Sequence, residues 1–141
     1  MKYTDLKMKQ QEEFNKFPLM AAFNDKQFEE GMKQLGVKEV SELYSIGGGC
    51  YIRKKDSNKL QDLLNKQQKE LKEFLKDDDN LKDMFVYEMQ NHEYQLTGDD
   101  EEVIRGCNLA YKTVMEDERM LDIYNQARAE FYKLCEENGW W

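Results

Sequence analysis

The chain has 141 residues and a net charge of −8, with 40% hydrophobic, 12% aromatic and 35% charged residues. The aromatic content excludes a disordered tail, and no apolar run approaches the roughly 20 residues that span a bilayer. Cys50, Cys107 and Cys135 are odd in number and widely spaced, and His92 is the sole histidine, which excludes a disulfide framework and any short-range zinc motif.

This length fits one domain, residues 1–141, which at such a size buries about two-thirds of its unfolded surface. Met1 to Lys7 lacks the apolar stretch of a secretory signal, so the expected location is the cytoplasm, with the cysteines as free packing thiols. With a single proline, Pro18, the expected class is α+β and mostly helical: five to six helices with a small antiparallel hairpin or three-stranded sheet.

Tyr3, Leu6, Gln10, Phe14 and Phe17 recur at helical spacing, predicting a helix from about Thr4 to Lys16 that Pro18 ends. Residues 18–23 read as a short strand. Asn24-Asp25 then caps a helix carrying Phe28, Met32 and Leu35 and stopped by Gly36. Leu43 to Ile46 and Cys50 to Arg53, joined by Gly47-Gly48-Gly49, predict a hairpin. Asp56 or Ser57 caps a longer helix striped by Leu60, Leu63, Leu64, Leu71, Phe74 and Leu75.

Asp77 to Asn80 breaks that helix and caps the next, which carries Leu81, Met84, Phe85 and Met89 and ends at Asn91 to Tyr94. Thr97 to Asp100 is a turn before a further capped start. The last helix is predicted from Glu116 to Asn138, with Met120, Leu121, Tyr124, Phe131, Leu134 and Cys135 inward and Gly139 after its end.

Charge is sorted along the chain. Residues 1–76 hold 15 Lys/Arg against 12 Asp/Glu, a net of +3, whereas residues 77–141 hold 6 against 17, a net of −11. Such a body suits a basic partner better than nucleic acid itself. The candidate partner surface is therefore Asp77, Asp78, Asp79, Asp83, Asp99, Asp100, Glu101 and Glu102, with Trp140 and Trp141 as interface anchors. Part of this acidity is ordinary capping, assigned to Asp79, Asp99 and Asp100.

Two further segments carry alternative chemistry. Gly47, Gly48 and Gly49 beside Arg53, Lys54 and Lys55 can cradle an anion, but no P-loop ending follows, and a glycine hairpin turn is the preferred reading of the same residues. His92-Glu93 begins a zinc-helix motif that fails, because position 96 is Leu96 and no second histidine exists. Asn91, His92, Glu93 and Tyr94 remain a polar segment that suits a buried network, a proton shuttle or a ligand contact. No catalytic constellation emerges, and no cofactor is expected. The lysines at 54, 55, 59, 66, 69, 72 and 76 alternate with acids, as on a solvated helix face, which argues against direct nucleic-acid binding.

Three stretches, Phe17 to Gly31, Tyr44 to Asp56 and Asn91 to Asp99, resemble a family of small proteins of unknown function found in phages, prophages and conjugative elements of Firmicutes and gut bacteria. The resemblance spans roughly residues 14–100 and brings no catalytic residue. It implies a mobile-element context in which small acidic proteins block host defence, anti-CRISPR inhibitors among them. The expectation is therefore a non-enzymatic inhibitor of a basic, nucleic-acid-handling protein such as a CRISPR effector nuclease. The alternatives are a nucleotide-, small-ligand- or metal-binding domain using the glycine loop and the Asn91 to Tyr94 segment, or a scaffold or dimer module built on the two tryptophans.

Overall fold

Short polar side chains set the helix starts. Asn24, Asp77, Asp99 and Asp117 each accept a hydrogen bond from the backbone amide three residues on, satisfying a donor that the first helical turn leaves unpaired. The computed structural model describes residues 1–141 as eight α-helices, two single-turn 3-10 helices and three strands. The class is α+β and mostly helical, with one small antiparallel sheet. The helices exceed the expected five or six because the acidic half contains three short ones. The chain forms two compact units, residues 6–70 and residues 71–141 with 1–5.

In the unit of residues 6–70, most of helix α1 (Tyr3–Asn15) leads into strand β1 (Leu19–Ala21), helix α2 (Asp25–Leu35), strands β2 (Leu43–Gly47) and β3 (Cys50–Arg53), and much of helix α3 (Ser57–Phe74). The strand order is β1-β3-β2, all antiparallel, with Leu19 opposite Ile52 and Ile52 opposite Tyr44. Gly47, Gly48 and Gly49 all have positive φ (90°, 60° and 76°), backbone that a β-branched or bulky residue would adopt only under strain. They close the β2–β3 hairpin with an irregular register after Ser45.

Helix α2 lies so close to β1 that a Cβ on Gly31 would sit 2.7 Å from Met20 Sδ. Met20, Ala22, Leu35, Val37 and Leu43 form the small core here, with Phe28 edge-on to Tyr51 at 5.2 Å. Helices α1 and α3 are joined by reciprocal bonds, Gln10 Nε2 donating to the Gln67 carbonyl and Gln67 Nε2 to that of Gln10, each at 3.0 Å. Lys9–Glu70 and Lys66–Glu13 ion pairs flank them. Leu64, predicted on the apolar stripe of α3, is 41% exposed.

Asp56 does not cap α3. A 3-10 turn over Lys54–Asp56 runs directly into that helix, and the Asp56 carboxylate, 1% exposed, instead receives Arg53 Nε at 2.6 Å.

The unit of residues 71–141 with 1–5 is organised on helix α4 (Asp78–Asn91), whose Leu81, Met84, Phe85 and Met89 are fully buried. Around it come α5 (Tyr94–Thr97), α6 (Asp100–Gly106), α7 (Tyr111–Glu116) and α8 (Glu118–Asn138). The predicted final helix starts two residues later than Glu116 and ends at Asn138 as expected: Glu116 closes α7, and Asp117 is extended (φ −95°, ψ 116°) and caps α8 through Met120 N. Its buried face is Ile123, Tyr124, Ala127, Phe131 and Cys135, while Met120, Leu121 and Leu134 are only half-buried. Phe85 packs edge-on to Tyr124 at 5.1 Å. Asp77, not Asp79, caps α4. No helix is long and apolar enough to cross a membrane.

Candidate functional site

The ionisable groups of the acidic half gather at the C-terminal end of α4 and the start of α6. Glu88 lies on the buried face of α4, 1% exposed, where an unpaired carboxylate would be costly. Its Oε1 accepts the Tyr3 hydroxyl at 3.1 Å, and its Oε2 meets His92 Nε2 at 3.3 Å and Asn91 Nδ2 at 3.4 Å. The other ring nitrogen of His92, Nδ1, faces Glu102 Oε1 at 3.1 Å.

A neutral imidazole donates through one nitrogen only, so the imidazolium is the form that donates to both carboxylates. Because Glu88 and Glu102 occupy opposite sides of the ring, these three side chains do not converge on one ion. A glycine makes this approach feasible: a Cβ on Gly106 would lie 2.5 Å from His92 Nε2 and 2.8 Å from Glu88 Oε2.

A second cluster adjoins along the sequence. Asp100 Oδ1 accepts the hydroxyls of Tyr124 at 2.6 Å and Tyr94 at 2.7 Å and lies 3.4 Å from Arg128 Nη2. Arg128 Nε donates to the Tyr94 oxygen at 3.1 Å, and the guanidinium sits 5.2 Å from the centre of the Tyr124 ring, a cation–π arrangement. Burial pushes the Asp100 carboxyl up, but the two phenol hydrogen bonds and the Arg128 charge outweigh it and leave the group below its ordinary value. Burial and then the bond to Asp100 push the Tyr94 phenol up to about 12, and the same two causes raise the Tyr124 phenol. Burial and then the Glu88 charge raise that of Tyr3.

The predicted acidic surface is therefore divided among several tasks. Asp77 and Asp99 are caps, Asp78 pairs with Arg119 Nε at 2.7 Å, Asp100 belongs to the tyrosine cluster and Glu102 to the His92 cluster. Asp79 and Glu101 are exposed without a partner, and exposed Asp83 receives only the Tyr3 amide at 3.4 Å.

Of the alternative ligand set, Gly47, Gly48, Gly49 and Arg53 belong to the residue 6–70 unit and Asn91, His92, Glu93 and Tyr94 to the other. The Arg53 guanidinium is committed through Nε to Asp56 and through Nη1 to the Leu35 carbonyl at 3.2 Å. Glu93 is exposed and left-handed (φ 51°) between α4 and α5, and Tyr94 is buried. Trp141, 64% exposed, stacks on Tyr132 with centroids 5.5 Å apart, and the Trp140 carbonyl accepts from Gln95 Nε2 at 3.3 Å.

Sequence reasoning missed Glu88, Gly106, Arg128, Tyr3 as a hydroxyl donor and Tyr124 as more than a core residue. One signal was present: Glu88 interrupts the apolar stripe of α4 four residues before His92, the spacing at which helical side chains meet.

Fold and site together define a small, mostly helical α+β protein whose interior ionisable groups are paired with one another. The chain belongs to a family of unknown function, DUF7659, whose model matches residues 2–130. That span includes both polar clusters and ends before the tryptophan pair. No curated protein and no solved structure matches the chain.

Proposed function

We propose that this is a non-catalytic binding protein of a phage or mobile element that engages and blocks a basic, nucleic-acid-handling host protein, in its most specific form a CRISPR effector nuclease. The supporting observation is the division of labour in the acidic half. Its histidine, tyrosine and arginine clusters are saturated by internal partners, while carboxylates at Asp79, Asp83 and Glu101 face solvent in a region of net charge −11. Exposed carboxylates stand in for nucleic-acid phosphates opposite Arg and Lys of the partner, which speeds association and makes it salt-dependent. Trp140 and Trp141, 39% and 64% exposed, supply the aromatic anchors that dominate many interfaces.

The test is binding to a purified CRISPR effector nuclease, measured as salt rises from about 0.05 to 0.3 M, a range over which screening of exposed charges changes strongly. Affinity should fall with salt and fall again in D79K/E101K, which changes neither a cap nor a cluster residue. Unmeasurable affinity, or binding indifferent to both salt and charge reversal, overturns the proposal.

The exposed tryptophans favour a second reading, a homodimer or scaffold contact. Light scattering of W140A/W141A against the parent chain separates the two, since only the dimer reading requires a change in mass.

A further inference from the structure

We propose that the cleft between residues 36–42 and the Arg53–Lys55 turn binds a small phosphorylated ligand of mononucleotide size. The cleft lies within the residue 6–70 unit, encloses about 320 Å³ and is lined by Gly36, Val37, Ser41, Glu42, Arg53, Lys54 and Lys55. That volume is at the lower end of small-molecule sites.

Its walls divide by chemistry. Three consecutive cations form one side, and two of them are held in place. Arg53 is fixed by the buried Asp56 and the Leu35 carbonyl, leaving its Nη2 uncommitted. The Lys54 ammonium rests 4.9 Å from the centre of the Tyr44 ring, while Lys55 makes no ion pair. Buried Val37 supplies an apolar wall, and Ser41 a hydroxyl that makes no hydrogen bond of its own.

Glu42 sets the discrimination. Its Oε2 accepts the amides of Glu39 at 2.9 Å and Lys38 at 3.1 Å, and these bonds, then the Lys55 charge, hold the carboxyl below its ordinary value. A fixed negative charge in the wall disfavours bare inorganic phosphate. It instead accepts an N–H or O–H donor on a ligand whose phosphate reaches Lys54 and Lys55. A nucleoside monophosphate combines these features: a dianion for the lysines, a flat ring for the Val37 wall and donors for Glu42. The site is adjacent in sequence to the Gly47–Gly49 turn, but that turn does not line it.

The measurement is a 15N amide-shift titration of the full chain with AMP, GMP, CMP and UMP separately, with inorganic phosphate and adenosine as controls. At least one monophosphate should give saturating shifts at residues 36–42 and 53–55, and neither control should. K54A/K55A should weaken that binding at least about tenfold, the effect of losing roughly 1.4 kcal/mol, while K112A on the other unit should leave it unchanged. K55A alone touches no structural contact and guards against a folding artefact in the double variant; it should also weaken binding. Absence of saturable binding by any monophosphate overturns the proposal. So does equal binding of inorganic phosphate, or affinity unaffected by K54A/K55A.

Discussion

Gly106→Ala places a single methyl group where two polar side chains already meet. The added carbon would lie 2.5 Å from His92 Nε2 and 2.8 Å from Glu88 Oε2, well inside the roughly 3.5 Å at which non-bonded heavy atoms rest. Relief requires the imidazole to move by about 1 Å, which takes the 3.3 Å contact with Glu88 out of hydrogen-bond range. Two effects then compete. Alanine is favoured over glycine by about 1 kcal/mol in a helix interior and by less at Gly106, the last residue of α6, whereas depriving a buried carboxylate of a partner costs about 1–3 kcal/mol or more.

The second effect wins, and the variant should lose about 1–2 kcal/mol and melt some 3–6 °C lower for a chain of this size. Urea and thermal unfolding followed by circular dichroism measure this directly. In a His92→Ala background the closest obstruction is gone, so the same substitution should cost at least about 1 kcal/mol less, a coupling that a double-mutant cycle reports. A Gly106→Ala protein as stable as its parent, or an equal penalty in both backgrounds, refutes the reasoning.

Asp100 is held below its ordinary carboxyl value in the folded protein, so the stability it contributes is present above its unfolded value of about 4 and is lost as pH falls through the folded one. Asp100→Asn should therefore be less stable near neutrality, by about 1–3 kcal/mol for disrupting a charged acceptor of three donors, and should show a shallower loss of stability as pH falls below about 4. The buried phenols act in the opposite direction. Burial pushes the Tyr94 phenol up to about 12 and raises those of Tyr3 and Tyr124 as well, so their contribution is intact below the ordinary phenol value of about 10 and is lost as pH rises beyond it. Tyrosinate absorbance and far-ultraviolet dichroism should change together in alkali, and Tyr124→Phe should move that transition to higher pH.

Much of the fold was legible because its signals are local. Asn24 and Gly36 mark the ends of α2 through side-chain and left-handed caps, and Gly47 to Gly49 marks the hairpin through its positive φ. Residues 18–23 were legible as a short strand, but the sequence left open whether they join the hairpin, and the pairing of β1 with β3 decides for a three-stranded sheet. The same local rules misassigned positions where two roles are chemically equivalent. An aspartate before a helix reads as a cap whether it bonds a backbone amide, as Asp77 and Asp117 do, or a buried guanidinium, as Asp56 does.

By itself the sequence determined the class, the hairpin, most helix spans and the concentration of negative charge after residue 76, because capping, periodicity and composition act over a few residues. Only the tertiary structure decided which carboxylates remain free. Glu88 meets Tyr3 across 85 positions of chain, and Asp100 meets Tyr124 and Arg128 across 24 and 28. Pairings over such separations depend on how helices pack, not on local spacing. Packing thus placed Glu88, Asp100 and Glu102 in internal clusters and left Asp79, Asp83 and Glu101 as carboxylates facing solvent.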